Sequence, residues 1–158
     1  MKSAWSKLLS DRGARAFNPA LFVLFANLNR VLKGCESVLD LGCGSASRLQ
    51  YFDMQKTGVD GHEPTLQKAR DAGTHNEFVE TDVRGISTSF SPDSFDVVVA
   101  LDLIEHLSKE DGFSLLDDME RIACKRVAIF TPNGFMEQDG EEDDLQKHLS
   151  GWSATDFS

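Results

Sequence analysis

Residues 37–48 read SVLDLGCGSASR. Val38, Leu39 and Leu41 favour a buried strand, and Asp40 sets a carboxylate among them. Gly42 and Gly44 follow, flanking Cys43, and only small residues come after them as far as Ser47. An acid beside bare backbone at a strand end serves two ligand chemistries of opposite charge. A pyrophosphate needs a helix N-terminus and the spacing G-x-G-x-x-G. A cationic ligand needs the acid, with glycines that let it approach the main chain. The rest of the chain decides between them.

Strands and helices alternate outward from this turn. Residues 18–34 carry Leu21, Leu24, Phe25, Leu28, Val31 and Leu32 at helical spacing; Asn18 can cap that helix, Pro19 suits its first turn and Gly34 can stop it. Phe22 and Phe25 read as core, or as a flap over a ligand. Residues 46–53 are helical in length and polarity. Residues 57–61 form a second short strand ending in Asp60 and Gly61. Residues 64–73 form a helix, 76–82 a third strand, 94–103 a fourth, 109–123 a helix, and 125–132 a fifth strand ended by Pro132. Val97, Val98 and Val99 run without a polar break, which suits a strand covered on both faces. The alternation predicts a parallel α/β sheet with helices on both sides and strand order 3-2-1-4-5. Ligands of such sheets bind at the carboxyl ends of the strands, where the strand order reverses.

The 158 residues suit one domain, with an N-terminal helical segment at 1–34 and a C-terminal segment at 135–158. Within the latter, residues 137–146 (EQDGEEDDLQ) read as a solvated loop, the alternative being a lid near a ligand. Net charge is −10 and the pI about 4.7, which argues against an electrostatic grip on nucleic acid or anionic membrane. No apolar run approaches a membrane span, and the N-terminus lacks a signal-peptide pattern, so a reducing cytoplasm is expected. Cys35, Cys43 and Cys124 are widely spaced with no CxxC; neither a disulfide framework nor a metal site is expected.

Ser47 stands where the third glycine of the dinucleotide spacing belongs, so that match is incomplete. S-adenosylmethionine carries a sulfonium and an ammonium but no phosphate, and Asp40 with the glycines suits it better. Asp60, at the end of the second strand, can accept hydrogen bonds from ribose hydroxyls of either cofactor. Helix capping or turn formation is the bland alternative for each acid alone.

Four segments together resemble a class I S-adenosylmethionine-dependent methyltransferase of the small-molecule type. VLDLGCGSAS (38–47) resembles the family's first motif, with Ala46 for its last glycine. GVDGHEP (58–64) resembles the ribose-binding segment, although Gly61 replaces an apolar residue that often packs on adenine; His62 can substitute by stacking. FVETDV (78–83) resembles the segment whose acid meets the adenine amino group, which maps to Asp82, with Val83 against the ring. FSPDSFDVVVALDLIEHL (90–107) resembles the fourth-strand segment and is the most specific, and VAIFTPNG (127–134) extends the likeness. The resemblance implies a Rossmann-like fold and cofactor contacts from Asp40, Leu41, Gly42, Cys43, Gly44, Asp60, Gly61, His62, Asp82, Val83 and Leu101. It also implies S-adenosylhomocysteine as product and a small-molecule methyl acceptor.

A sulfonium already activates its methyl group, so the protein mainly aligns an acceptor and excludes water. Where the acceptor must lose a proton, His106 in LIEHL is the candidate base; packing or helix capping is its alternative role. Glu105 reads as a structural hydrogen-bonder. His148 with Trp152, in HLSGW, resembles the acceptor-side segment of small-molecule members, against a solvated loop histidine. Cys43 between two glycines is not expected to act as a nucleophile. The other readings of the chain are a cofactor-binding module without catalysis and an NAD-type oxidoreductase. The family's sheet ends in a hairpin of two further strands, for which no residues follow the fifth strand here. Residues 153–157 look like the capped start of a helix. Either the chain is a shortened form or a partner supplies the missing strands; as given, it is expected to bind cofactor, to be a weak catalyst, and to self-associate through an exposed fifth-strand edge.

Overall fold

The structure, a computed structural model, describes residues 19–137 and 147–157. Asn18, read as a helix cap, and most of the acidic stretch, 138–146, lie outside the described residues, as does the side chain of Leu21. Five parallel strands form one sheet in the order β3-β2-β1-β4-β5, as expected. They are β1 (Ser37–Leu41), β2 (Gln55–Asp60), β3 (Glu77–Glu80), β4 (Phe95–Leu101) and β5 (Ala123–Phe130), with helices α1 (Pro19–Val31), α2 (Glu63–Ala72) and α3 (Lys109–Ile122).

Register explains the two-sided core. Val38 pairs with Val97, Leu39 with Val98, and Leu41 with Ala100. Successive side chains of a strand point to opposite faces. Val38, Val97 and Val99 therefore meet Leu24, Phe25 and Leu28 of α1, and Leu32 just beyond it. Leu39, Leu41, Val98 and Ala100 meet Leu115, Met119 and Ile122 of α3 on the other face. Phe25 is fully buried and stacks on Phe52, so the core reading holds for it; Phe22 is half exposed. Ser108 caps α3 by accepting the Asp111 N–H at 3.1 Å, and Glu110 and Asp111 suit the positive end of the helix.

The helix expected over residues 46–53 is only a 3₁₀ turn, Arg48–Tyr51. Leu49, Tyr51 and Phe52 all enter the α1 cluster, and a single turn suffices to bury them. The Ser47 hydroxyl accepts the Leu49 N–H, the Phe52 N–H closes on Leu49 O, and the chain passes at once into the Ser37–Gln55 pairing. Residues 153–157 also form a 3₁₀ turn, Ala154–Phe157, whose start Asp156 secures by accepting the Ser153 N–H at 2.7 Å.

Candidate active site

The carboxyl ends of β1 and β2 carry the loop that the sequence singled out. Gly42 and Gly44 both take left-handed backbone, with φ of +65° and +59°. L-residues pay a steric cost there that glycine does not. A Cβ on Gly42 would strike Leu103 Cδ1 at 2.7 Å, so this glycine lets the loop lie against the end of β4. A Cβ on Gly44 would meet nothing within 4 Å. The space over Gly44 is open, and bare main chain faces it.

Asp40 lies beneath this loop and is buried. Its Oδ2 accepts hydrogen bonds from Ser47 Oγ and from His75 Nε2, the latter at 3.0 Å. Thr74 Oγ1 sits 2.9 Å from His75 Nδ1. Neighbouring Gly58 makes this possible: it pairs with Asp40, and a Cβ there would meet Cys43 Sγ at 2.9 Å and His75 Nδ1 at 3.0 Å. Ser47 is thus the clamp on the acid rather than a degraded glycine. His75 and Thr74 escaped the sequence reading, because nothing in THNEF marks a partner on β1. Leu41 is buried in the α3-side core, and Leu101 is partly buried against the α1 cluster.

Asp60, at the end of β2, accepts Gly44 N–H at 3.0 Å on Oδ2 and His62 N–H at 2.9 Å on Oδ1. A carboxylate offers about four lone-pair sites, so each oxygen retains one. Cys43 N–H bonds Val59 O at 2.9 Å, which ties the loop to β2. Burial first, then the charges of Asp40 and Asp60, push the Cys43 thiol well above its ordinary value, and the thiolate of a nucleophile is not formed there. Gly61 lies beside Thr81 and Asp82. His62 is exposed at the start of α2, with Nδ1 2.7 Å from Thr65 Oγ1. Asp82 follows β3 and caps the turn Val83–Thr88; its forked pairing with Arg84 holds the carboxyl below its usual range. Val83 is buried on the α3 side.

A second group gathers at the end of β4. Asp102 has φ +53° and gives its N–H to Phe130 O at 2.8 Å. Burial, then the charge of Glu105, pushes its carboxyl up, against the pull of Arg48, His106 and His148. The 3₁₀ turn Ile104–His106 follows. Glu105 is buried and accepts the Thr131 hydroxyl at 3.0 Å, the structural role expected of it. Its carbonyl accepts the N–H groups of Leu149 (2.8 Å) and Ser150 (3.1 Å), which pins the C-terminal segment to the turn. His148 arrives there edge-on to His106, ring centroids 4.9 Å apart. Trp152, grouped with His148 in the sequence, does not join it. The indole is buried and gives its N–H to Ile104 O and Ser150 Oγ, with its ring against Phe113 of α3.

Comparisons with known proteins give the family and the fold. Residues 39–131 match the family model described as a methyltransferase domain. Among solved structures, an S-adenosylmethionine-dependent methyltransferase from Archaeoglobus fulgidus is 25% identical, with a TM-score of 0.61 over 80% of this chain and 58% of that one. The PH0226 protein of Pyrococcus horikoshii is 24% identical, with a TM-score of 0.65 over 78% of this chain and 57% of that one. The plantazolicin methyltransferase BpumL, solved in complex with SAH, shares the fold at 21% identity and a TM-score of 0.60, over 84% of this chain and 56% of that one. The chain thus spans under three fifths of the length of these structures. A search of curated proteins finds no match.

Proposed function

This chain belongs to the methyltransferase-domain family and has S-adenosylmethionine as its cofactor, and from that premise we propose that it methylates a small-molecule acceptor. The observation that carries the reading is the left-handed Gly42–Gly44 loop held between two acids, Asp40 below and Asp60 beside it. A pyrophosphate needs a helix N-terminus after such a loop. Here a four-residue 3₁₀ turn follows, and the charge bonded directly to the loop, Asp60 on the Gly44 N–H, is negative. That geometry opposes an NAD-type reading and fits a cation.

The residues fit the cofactor. The open space over Gly44 admits its methionine part against main chain, and the Asp60 oxygens have lone pairs left for ribose hydroxyls. Asp40, held by Ser47 and His75, supplies negative charge beneath the loop; Leu41, Gly42 and Cys43 contribute backbone. Gly61 and His62 continue the wall, and Asp82, Val83 and Leu101 border the adenine side. When bound, S-adenosylmethionine supplies a methyl group already activated for in-line displacement.

The protein's own work is to orient the acceptor and keep water out. His106 and His148 form its acceptor side. Each gives its Nδ1–H to a backbone carbonyl, which leaves Nε2 able to take a proton from an acceptor hydroxyl or ammonium. Among the described residues no helix is long and apolar enough to cross a membrane. The widely spaced cysteines support a reducing, cytoplasmic setting.

Calorimetric titration with S-adenosylmethionine and with NAD tests the reading, followed by a methyl-transfer assay over an acceptor panel. Binding of the first ligand only is expected. Asp60→Ala should weaken it by about 1.5–3 kcal/mol, the scale of hydrogen bonds to a charged group. Preference for NAD, or an Asp60→Ala variant with unchanged affinity, would overturn the site.

A further inference from the structure

Three metal-ligating side chains converge where the turn after β4 meets the C-terminal segment. Glu105, His106 and His148 each present one ligand atom within 4.8 Å of the others'. Each histidine has one ring nitrogen tied to main chain, which leaves the other free to ligate. A ring nitrogen facing a carbonyl oxygen must donate. His106 Nδ1 lies 3.2 Å from Lys147 O, and His148 Nδ1 lies 2.8 Å from Met136 O. An imidazole held this way carries a proton on Nδ1, so its lone pair for a metal is on Nε2. Metal-binding histidines are oriented in this way, with the second ring nitrogen tied to a carbonyl or carboxylate. Glu105 is buried, and Thr131 Oγ1 occupies part of Oε2 only.

The scaffold is firm at each ligand. Glu105 and His106 share one 3₁₀ turn, and His148 precedes two residues whose N–H groups are fixed on the Glu105 carbonyl.

We propose that Glu105, His106 and His148 bind one divalent transition-metal ion of the imidazole-seeking class, such as Zn²⁺, Fe²⁺, Mn²⁺ or Co²⁺. Two imidazoles and one carboxylate leave positions open on the ion for oxygen donors. The use of those positions rests on the methyl-transfer reading: an acceptor bound through a hydroxyl or a pair of adjacent oxygens is held at the acceptor side, and its hydroxyl, acidified by the ion, gives its proton to solvent water before the oxygen takes the methyl group. With the ion bound, His106 and His148 are both ligands rather than proton carriers; without it, each keeps a free Nε2. The site itself does not depend on that reading. The cysteine spacing pointed away from a metal because these ligands come from elsewhere, separated by more than forty positions and two strand ends.

The test is titration of the untagged, metal-stripped chain with Co²⁺ alone, followed by its visible d–d absorption and by calorimetry. One equivalent with a nitrogen-containing coordination spectrum is expected. His148→Gln and His106→Gln should each weaken binding by about tenfold or more. His148 lies on the partly exposed side, so its variant carries the test even if the His106 variant loses its circular dichroism spectrum. Asp60→Ala is the control: it should lose S-adenosylmethionine affinity and keep Co²⁺ affinity, which separates failure of this site from failure of the cofactor reading. No Co²⁺ binding by the wild-type chain, or binding that His148→Gln leaves unchanged, would overturn the proposal.

Discussion

Gly42 and Gly44 share a backbone conformation and differ in what surrounds them, which separates two reasons for a glycine. Alanine at either position meets the left-handed penalty of about 1–2 kcal/mol. At Gly42 it also meets Leu103 at 2.7 Å, whereas at Gly44 it projects into open space. Gly42→Ala should therefore lower the melting temperature distinctly more than Gly44→Ala. Gly44→Ala should in turn lose S-adenosylmethionine affinity out of proportion to its stability loss. Thermal melts and calorimetry on the two variants measure both halves; equal effects on stability would remove Leu103 as the cause. The motif reading located this loop because strand, acid and glycines are adjacent in the chain. It missed the support beneath. His75 stands thirty-five positions from Asp40 and reaches it only because β2 offers Gly58 between them. A cross-strand vacancy of that kind has no local signature.

Elements were legible where their burial pattern was uniform. Val97–Val99 could only suit a strand covered on both faces, and α3 carries its own cap and apolar stripe. Residues 46–53 were misread because polarity and length favour a helix there, while the actual constraint is the short return into β2. The opposite end of the sheet shows what else holds the elements together. Asp96 at the start of β4 accepts the Glu36 N–H at 2.6 Å and pairs with Lys125 of β5 at 3.0 Å, while its own N–H goes to Ser37 Oγ. Chiefly the Glu36 bond, with help from Lys125, draws its carboxyl down to about 2. A depressed carboxylate contributes stability that is present above its ordinary range and lost as pH falls toward the folded value. Asp96→Ala should accordingly be less stable than the wild type at neutral pH. The difference should narrow below about pH 4 and vanish near about pH 2. Urea melts across that window check it; a gap constant with pH would assign the loss to packing rather than charge.

At the scale of the whole sheet, the described strands place β5 at one edge, as the last strand among the described residues. Beside it lies a groove of about 460 Å³ lined by Leu116, Val127, Ile129, Phe130, Trp152 and Phe157. Phe130, Phe135, Met136, Leu149 and Phe157 are all exposed. An unpaired strand with apolar surface next to it is a template for pairing with another chain. A second copy satisfies both demands at once, its own β5 supplying the missing hydrogen bonds. The charge of −10 opposes that association at low salt and is screened within about 8 Å at physiological ionic strength. Mass measured by light scattering should therefore rise with protein concentration, and rise further with salt. Phe130→Lys places a charge on the edge without entering either core cluster, so it should return the chain to monomer with its melting temperature nearly unchanged at low concentration. A mass that stays monomeric across concentration and salt would mean that the edge is protected by its own side chains, and that the groove beside β5 is filled some other way.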